Sequence, residues 1–110
     1  MNTYTPNRWV ILKLTYENGE PDYRVFAGWS GGYLDSDEWK LNSGIVSHEI
    51  QNEYIRFIGE SGSVYQCYKG AEGFTAFMSS VLSFWKENPR NQITVLTFDE
   101  YLKEISNDEG

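Results

Sequence analysis

One histidine, His48, and one cysteine, Cys67, are the side chains of this sequence best suited to acid-base or nucleophilic chemistry. A thiol nucleophile needs a base within hydrogen-bond reach and a third group that orients the base. Cys67 instead sits in the run Val64-Tyr65-Gln66-Cys67-Tyr68. No helix N-terminus lies beside it to lower its pKa, and it reads as a small buried hydrophobe. A single cysteine also excludes an internal disulfide and a thiolate-based structural zinc site. His48 falls in the predicted strand Ile45 to Ile50, where Glu49 points to the opposite face. A small hydrolase using His48 with a carboxylate such as Glu49 or Glu53 would therefore need its pairing to come from another strand.

Asp35, Asp37 and Glu38 bring three carboxylates within four positions. They read either as a divalent-ion site or hydrolytic acid pair, or as a solvated acidic loop. The central glycine and the twelfth-position glutamate of a calcium loop are missing, and the solvated loop is the better fit. Gly28, Gly31 and Gly32 precede no helix, no phosphate-binding lysine and no βαβ unit, which excludes a nucleotide cradle. No metal and no cofactor is expected. Trp29, Tyr33 and Trp39 flank the same loop, and aromatics beside a turn ringed by polar groups suit protein recognition. Trp29, Tyr33, Asp35, Asp37, Glu38 and Trp39 are thus the candidate partner-binding set. An equally weighted alternative has two of the three aromatics closing the mouth of the sheet core.

The elements that must position these residues follow from periodicity. Arg8 to Tyr16, RWVILKLTY, alternates Val10, Leu12, Leu14 and Tyr16 against Trp9, Ile11 and Lys13, a strand. Asn18-Gly19 supplies a tight turn into a second strand, Tyr23 to Trp29. Further strands are predicted at Trp39 to Leu41, Ile45 to Ile50, Glu53 to Gly59 and Ser63 to Tyr68, with turns at Asn42-Ser43-Gly44 and Gln51-Asn52. The segments from Tyr23 and from Tyr54 share the pattern YxxFxGxSG, offset by 31 residues. Each would relax at a glycine, where a bulge or a close backbone approach needs no Cβ, and reverse through Ser-Gly. Shared turn chemistry explains this echo better than duplication does.

From Phe74 the period changes: Phe74, Phe77, Met78, Val81, Leu82 and Trp85 mark an amphipathic helix that stops before Asn88-Pro89. Gln92 to Thr97 gives one more strand. Thr97-Phe98-Asp99-Glu100 fits a capping box, opening a terminal helix from Phe98 to Ile105. The expected fold is α+β: an antiparallel meander of about six strands packed by one amphipathic helix, plus a short strand and a short C-terminal helix, in one domain spanning 1–110.

Composition bounds the function. The chain of 110 residues has 16% aromatics, enough for one core, and nine Lys and Arg against sixteen Asp and Glu for a net charge of -7. The mean field repels phosphate backbones, so direct nucleic-acid binding is disfavoured. The polar segment Met1 to Asn7 lacks an apolar signal core and no apolar run reaches bilayer length. A cytoplasmic location, most simply bacterial, is expected.

The motifs Trp29-Ser30-Gly31-Gly32-Tyr33-Leu34-Asp35, Trp39-Lys40-Leu41-Asn42-Ser43-Gly44-Ile45 and Ser61-Gly62-Ser63-Val64-Tyr65 resemble those of small uncharacterised accessory proteins of tailed bacteriophages and prophages. The likeness covers roughly residues 8 to 68. It carries no activity and no residue role, but it implies a setting of small phage genes, many of which encode inhibitors of host proteins. The expected function is non-enzymatic binding. A phage-encoded inhibitor of a host defence protein would use an acidic, nucleic-acid-mimicking surface against a basic nucleic-acid-handling partner. The alternatives are a self-assembling structural accessory protein, homodimeric through an exposed edge strand, and then the His48 hydrolase.

Overall fold

The computed structural model describes residues 2–17, 19–31, 37–90 and 92–108. Among these, eight strands and two α-helices form three layers: β1 Thr3–Tyr4, β2 Arg8–Thr15, β3 Pro21–Trp29, β4 Glu38–Leu41, β5 Ile45–Ile50, β6 Tyr54–Gly59, β7 Val64–Tyr68, α1 Ala76–Lys86, β8 Gln92–Leu96 and α2 Phe98–Asp108. The α+β class and the strand and helix order match expectation. Turn glycines act as anticipated: Gly19 has φ +81° and Gly62 φ +91°, values that L side chains rarely adopt.

The meander is divided between two sheets, in the orders β4-β3-β2-β8 and β1-β7-β6-β5. Asn42 explains the division. Its backbone N–H still donates to Val25 O (3.0 Å), but the returning bond from Val25 N goes to the Asn42 side chain (Oδ1, 2.8 Å) and not to a backbone carbonyl. The side chain, 2% exposed, stands in for the next strand residue while the backbone leaves the sheet. Gly44, at φ +124°, completes the exit. The turn then locks onto the second sheet, with Glu60 N donating to Gly44 O (3.0 Å) and Ser61 N to Ser43 Oγ (2.9 Å).

A second departure is β1, in a segment that reads as merely polar: Thr3 and Tyr4 pair in parallel with Val64 and Tyr65. All other strand pairings are antiparallel.

The two sheets face each other across one core. Trp9, Ile11, Val25 and Ala27 from the first sheet meet Ile55, Phe57, Tyr65 and Cys67 from the second, and α2 contributes Tyr101. A second core lies on the opposite side of the first sheet, where Val10, Leu12 and Phe26 meet Met78 and Leu82 of α1. The central strand β2 is therefore buried on both faces from Trp9 to Leu12, as its alternating but wholly apolar run dictates.

The YxxFxGxSG echo occupies the middle strand of each three-stranded run, yet its side chains do not superpose in role. Phe26 points toward α1, whereas Phe57 points between the sheets. What the segments share is the glycine: a Cβ on Gly28 would meet Met78 Sδ at 2.4 Å, and one on Gly59 would meet Ser43 Oγ at 2.9 Å. Close approach, not repeated architecture, accounts for the pattern.

Candidate functional site

The predicted partner-binding set is split by the first sheet. In the β3–β4 ladder Trp29 is opposite Glu38 and Gly28 is opposite Trp39. Neighbouring residues of a strand face opposite ways, so Trp29 and Glu38 share one face while Asp37 and Trp39 lie on the α1 side. Trp29 packs edge-on against Tyr4 and donates its indole N–H to Thr5 O (3.0 Å). Trp39 packs edge-on against Phe26 and Trp85, with centroids 6.0 and 5.0 Å away, and stays 38% exposed. Both tryptophans thus close the ends of core layers, one on each side of the sheet. Asp37 and Glu38 are exposed. Asp37 lines an open polar hollow with Arg8, Ser30, Phe74 and Thr75 at the start of α1. Tyr33 and Asp35 lie outside the described residues.

Cys67 is held in the core between the sheets, and His48 is half-buried at the edge of that core. The imidazole packs against Phe98 and Tyr101, with centroids 5.8 and 5.9 Å away. Cys67 is fully buried, and that burial pushes its thiol well above the ordinary value. The register keeps the two apart: His48 is opposite Phe57, whereas Cys67 is opposite Ile55, with β6 lying between their strands. Two strand spacings place them about 10 Å apart, beyond hydrogen-bond reach. Glu49 is opposite Arg56 and points away from His48. Among the described residues no group of three His, Cys, Asp or Glu side chains is placed to hold a metal ion.

The surface that the sequence reading does not single out is the outer side of α1. Met78 and Leu82 are buried and Trp85 half-buried, as the stripe predicts, but Phe74 and Phe77 stand 36% and 37% exposed and Phe84 72% exposed. Phe77, Val81 and Phe84 fall at i, i+4 and i+7, so they form a ridge beside the buried stripe. The rest of the outward side is Ala76, Ser79, Ser80 and Ser83, and α1 carries a single charged residue, Lys86, in its last turn. A signal for this ridge is present in the sequence: AFMSSVLSFWK lacks the charged face that a surface helix normally shows.

Thr75 places the helix. Its Oγ1 accepts the N–H of Met78 at 3.1 Å, and its own N–H reaches Met78 Sδ at 3.3 Å. The helix therefore begins at Ala76, leaving Phe74 in the preceding loop at the rim of the Asp37 hollow. Phe74 and Asp37 line that one hollow together, whereas Glu38 belongs to the opposite face of the sheet. No described helix is long and apolar enough to cross a membrane. Comparison with known proteins finds no matching family model, no matching curated protein and no matching solved structure.

Proposed function

We propose that this chain is a non-enzymatic binding protein that captures a protein partner on the outward side of α1. The observation that carries the reading is the aromatic ridge: Phe84, 72% exposed, together with Phe77 on a helix whose one charge is Lys86 in its last turn. Contiguous exposed aromatics on an uncharged helix face suit an apolar groove on another protein, the geometry of helix-in-groove recognition. The burial of Cys67 and its separation by a whole strand from the half-buried His48, which packs on Phe98 and Tyr101, support binding over catalysis.

The net charge of -7 has a separate role in this reading. It repels nucleic acid and speeds encounter with a basic protein, while the ridge holds the complex once formed. The resemblance to phage accessory proteins supplies the setting: a host protein as partner and inhibition as the outcome. Asp37 shares a hollow with Phe74 and Thr75 at the start of α1, which brings one steering charge to the end of the contact helix.

Affinity capture from bacterial lysate at low and moderate salt, read by mass spectrometry and followed by kinetics on the captured protein, tests this. Phe77→Ser with Phe84→Ser should raise the dissociation rate at least tenfold without loss of folding. Asp37→Asn with Glu38→Gln, or added salt, should slow association instead. Capture that survives the phenylalanine changes with both rates intact would overturn the proposal.

Self-assembly through a strand edge is the weaker alternative. The edge strand β5 carries a register shift between Ile45 and Ser47, and such bulges interrupt edge pairing.

A further inference from the structure

We propose that the cleft beyond the C-terminal end of α1 binds a small amphipathic anion, a molecule with an apolar body and a carboxylate head. The cleft holds about 270 Å³. Its floor is Leu12, Leu14, Leu41, Trp85 and Ile93, which belong to β2, β4, α1 and β8. Four elements converge here because α1 ends at Lys86 while the outer face of the sheet continues past it. The helix covers Leu12, fully buried, but Leu14 and Ile93 extend beyond its last turn and are only half-buried. An apolar recess opens where the second core runs out of helix.

Charge selects the occupant. The chain has sixteen acids and nine Lys and Arg, yet the cleft is lined by no acid and by one ionic group, Arg90. The backbone N–H of Arg90 bonds Asn88 Oδ1 at 3.0 Å, a local turn just after α1. The guanidinium meets no carboxylate among the described residues. A cation at the rim of an apolar recess, on a molecule of opposite net charge, is an attractive point for a carboxylate and a poor one for an ammonium. The Tyr16 hydroxyl is already engaged, donating to Asp22 Oδ2 at 3.1 Å, so its half-exposed ring offers the ligand a face and not a donor. Mostly apolar walls with a few polar groups, here Thr15 and Gln92 beside the single charge of Arg90, are the usual composition of small-ligand sites. The volume suits a body of about 10 to 15 non-hydrogen atoms, for which ligand-efficiency limits place the dissociation constant near 0.1 to 1 mM, an order-of-magnitude expectation.

This site is independent of the partner surface, since it lies past the end of α1 and uses none of Phe74, Phe77 or Phe84. Titration of the full chain with 4-phenylbutyrate and with its neutral amide, followed by amide and indole NMR shifts, tests it. Saturating shifts should be confined to residues 14–16, Trp85 and residues 92–93, with the acid bound about tenfold more tightly than the amide. Arg90→Gln, a change in an exposed loop, should erase that preference while leaving amide binding unaltered. Absence of saturable shifts, shifts centred elsewhere, or equal affinity for acid and amide would each overturn the assignment.

Discussion

Gly28 shows how one residue can govern the contact between two layers. It lies on β3 where α1 begins, and a Cβ there would sit 2.4 Å from Met78 Sδ and 3.1 Å from Thr75 Oγ1. Met78 is fully buried, and its sulfur also accepts the Thr75 N–H that starts the helix, so it cannot withdraw without loosening both packing and cap. Gly28→Ala should therefore destabilise the fold by about 1 to 3 kcal/mol, the usual range for overpacking. The same change in a Met78→Ala background should cost much less, because the obstructing atoms are gone. Denaturant unfolding of the four proteins measures this, and an equal cost in both backgrounds would show that Met78 is not the obstacle. The need for a glycine here was legible in the sequence as strand punctuation. Its partner was not, since Met78 is fifty residues away and only packing brings it close.

Among the elements, α2 is the one whose start is most fully described by hydrogen bonds. Thr97 Oγ1 accepts the Glu100 N–H at 3.1 Å, Glu100 Oε1 accepts the Thr97 N–H at 2.8 Å, and Glu72 Oε2 accepts the Phe98 N–H at 2.7 Å. The first two bonds join residues three apart, so the capping box could be read from Thr97 and Glu100 alone. The third crosses 26 positions and could not. The same distinction accounts for the split meander, where local propensity marked Asn42-Ser43-Gly44 as a turn but only the tertiary bond to Val25 decided that it changes sheets. It accounts for the divided candidate site too, since the loop grouping placed Trp29 and Trp39 together, whereas strand alternation sends them to opposite faces. Thr97→Ala should cost about 1 kcal/mol of stability. Its backbone and side-chain bonds to Thr97 hold the Glu100 carboxyl below the usual carboxylate range. A folded-state pKa depressed below the unfolded one stabilises above the unfolded value, and that contribution fades as pH falls through the folded one. The stability gap between the parent chain and Glu100→Gln should accordingly be full at neutral pH and close below about pH 4.3, the ordinary glutamate value. Unfolding midpoints measured across that range test it, and a gap independent of pH would show that the charge contributes nothing.

Across the whole molecule the two cores lie on opposite faces of the same strands, β2 and β3 above all, and this dictates how the protein unfolds. Trp9 and Ile11 of β2 face the space between the sheets, while Val10 and Leu12 of the same strand face α1, all four buried. Neither layer can be removed without exposing one full face of β2, and with it the pairing to β3 and β8. The chain should therefore unfold in one cooperative step, although its surface offers two separate binding regions on the α1 side. Tryptophans report both cores: Trp9 lies between the sheets, while Trp85 packs on Phe26 beneath α1. Variants with the remaining tryptophans changed to Phe, keeping either Trp9 or Trp85, should give coincident fluorescence midpoints that also match far-ultraviolet circular dichroism. Ile11→Ala and Leu12→Ala, one on each side of the strand, should each cost about 2 to 5 kcal/mol and shift every probe together. If α1 separates first, the Trp85 signal will move ahead of Trp9, and only Leu12→Ala will widen the gap. That outcome would make α1 a detachable layer, with the aromatic ridge of Phe77 and Phe84 able to engage a partner after leaving the sheet.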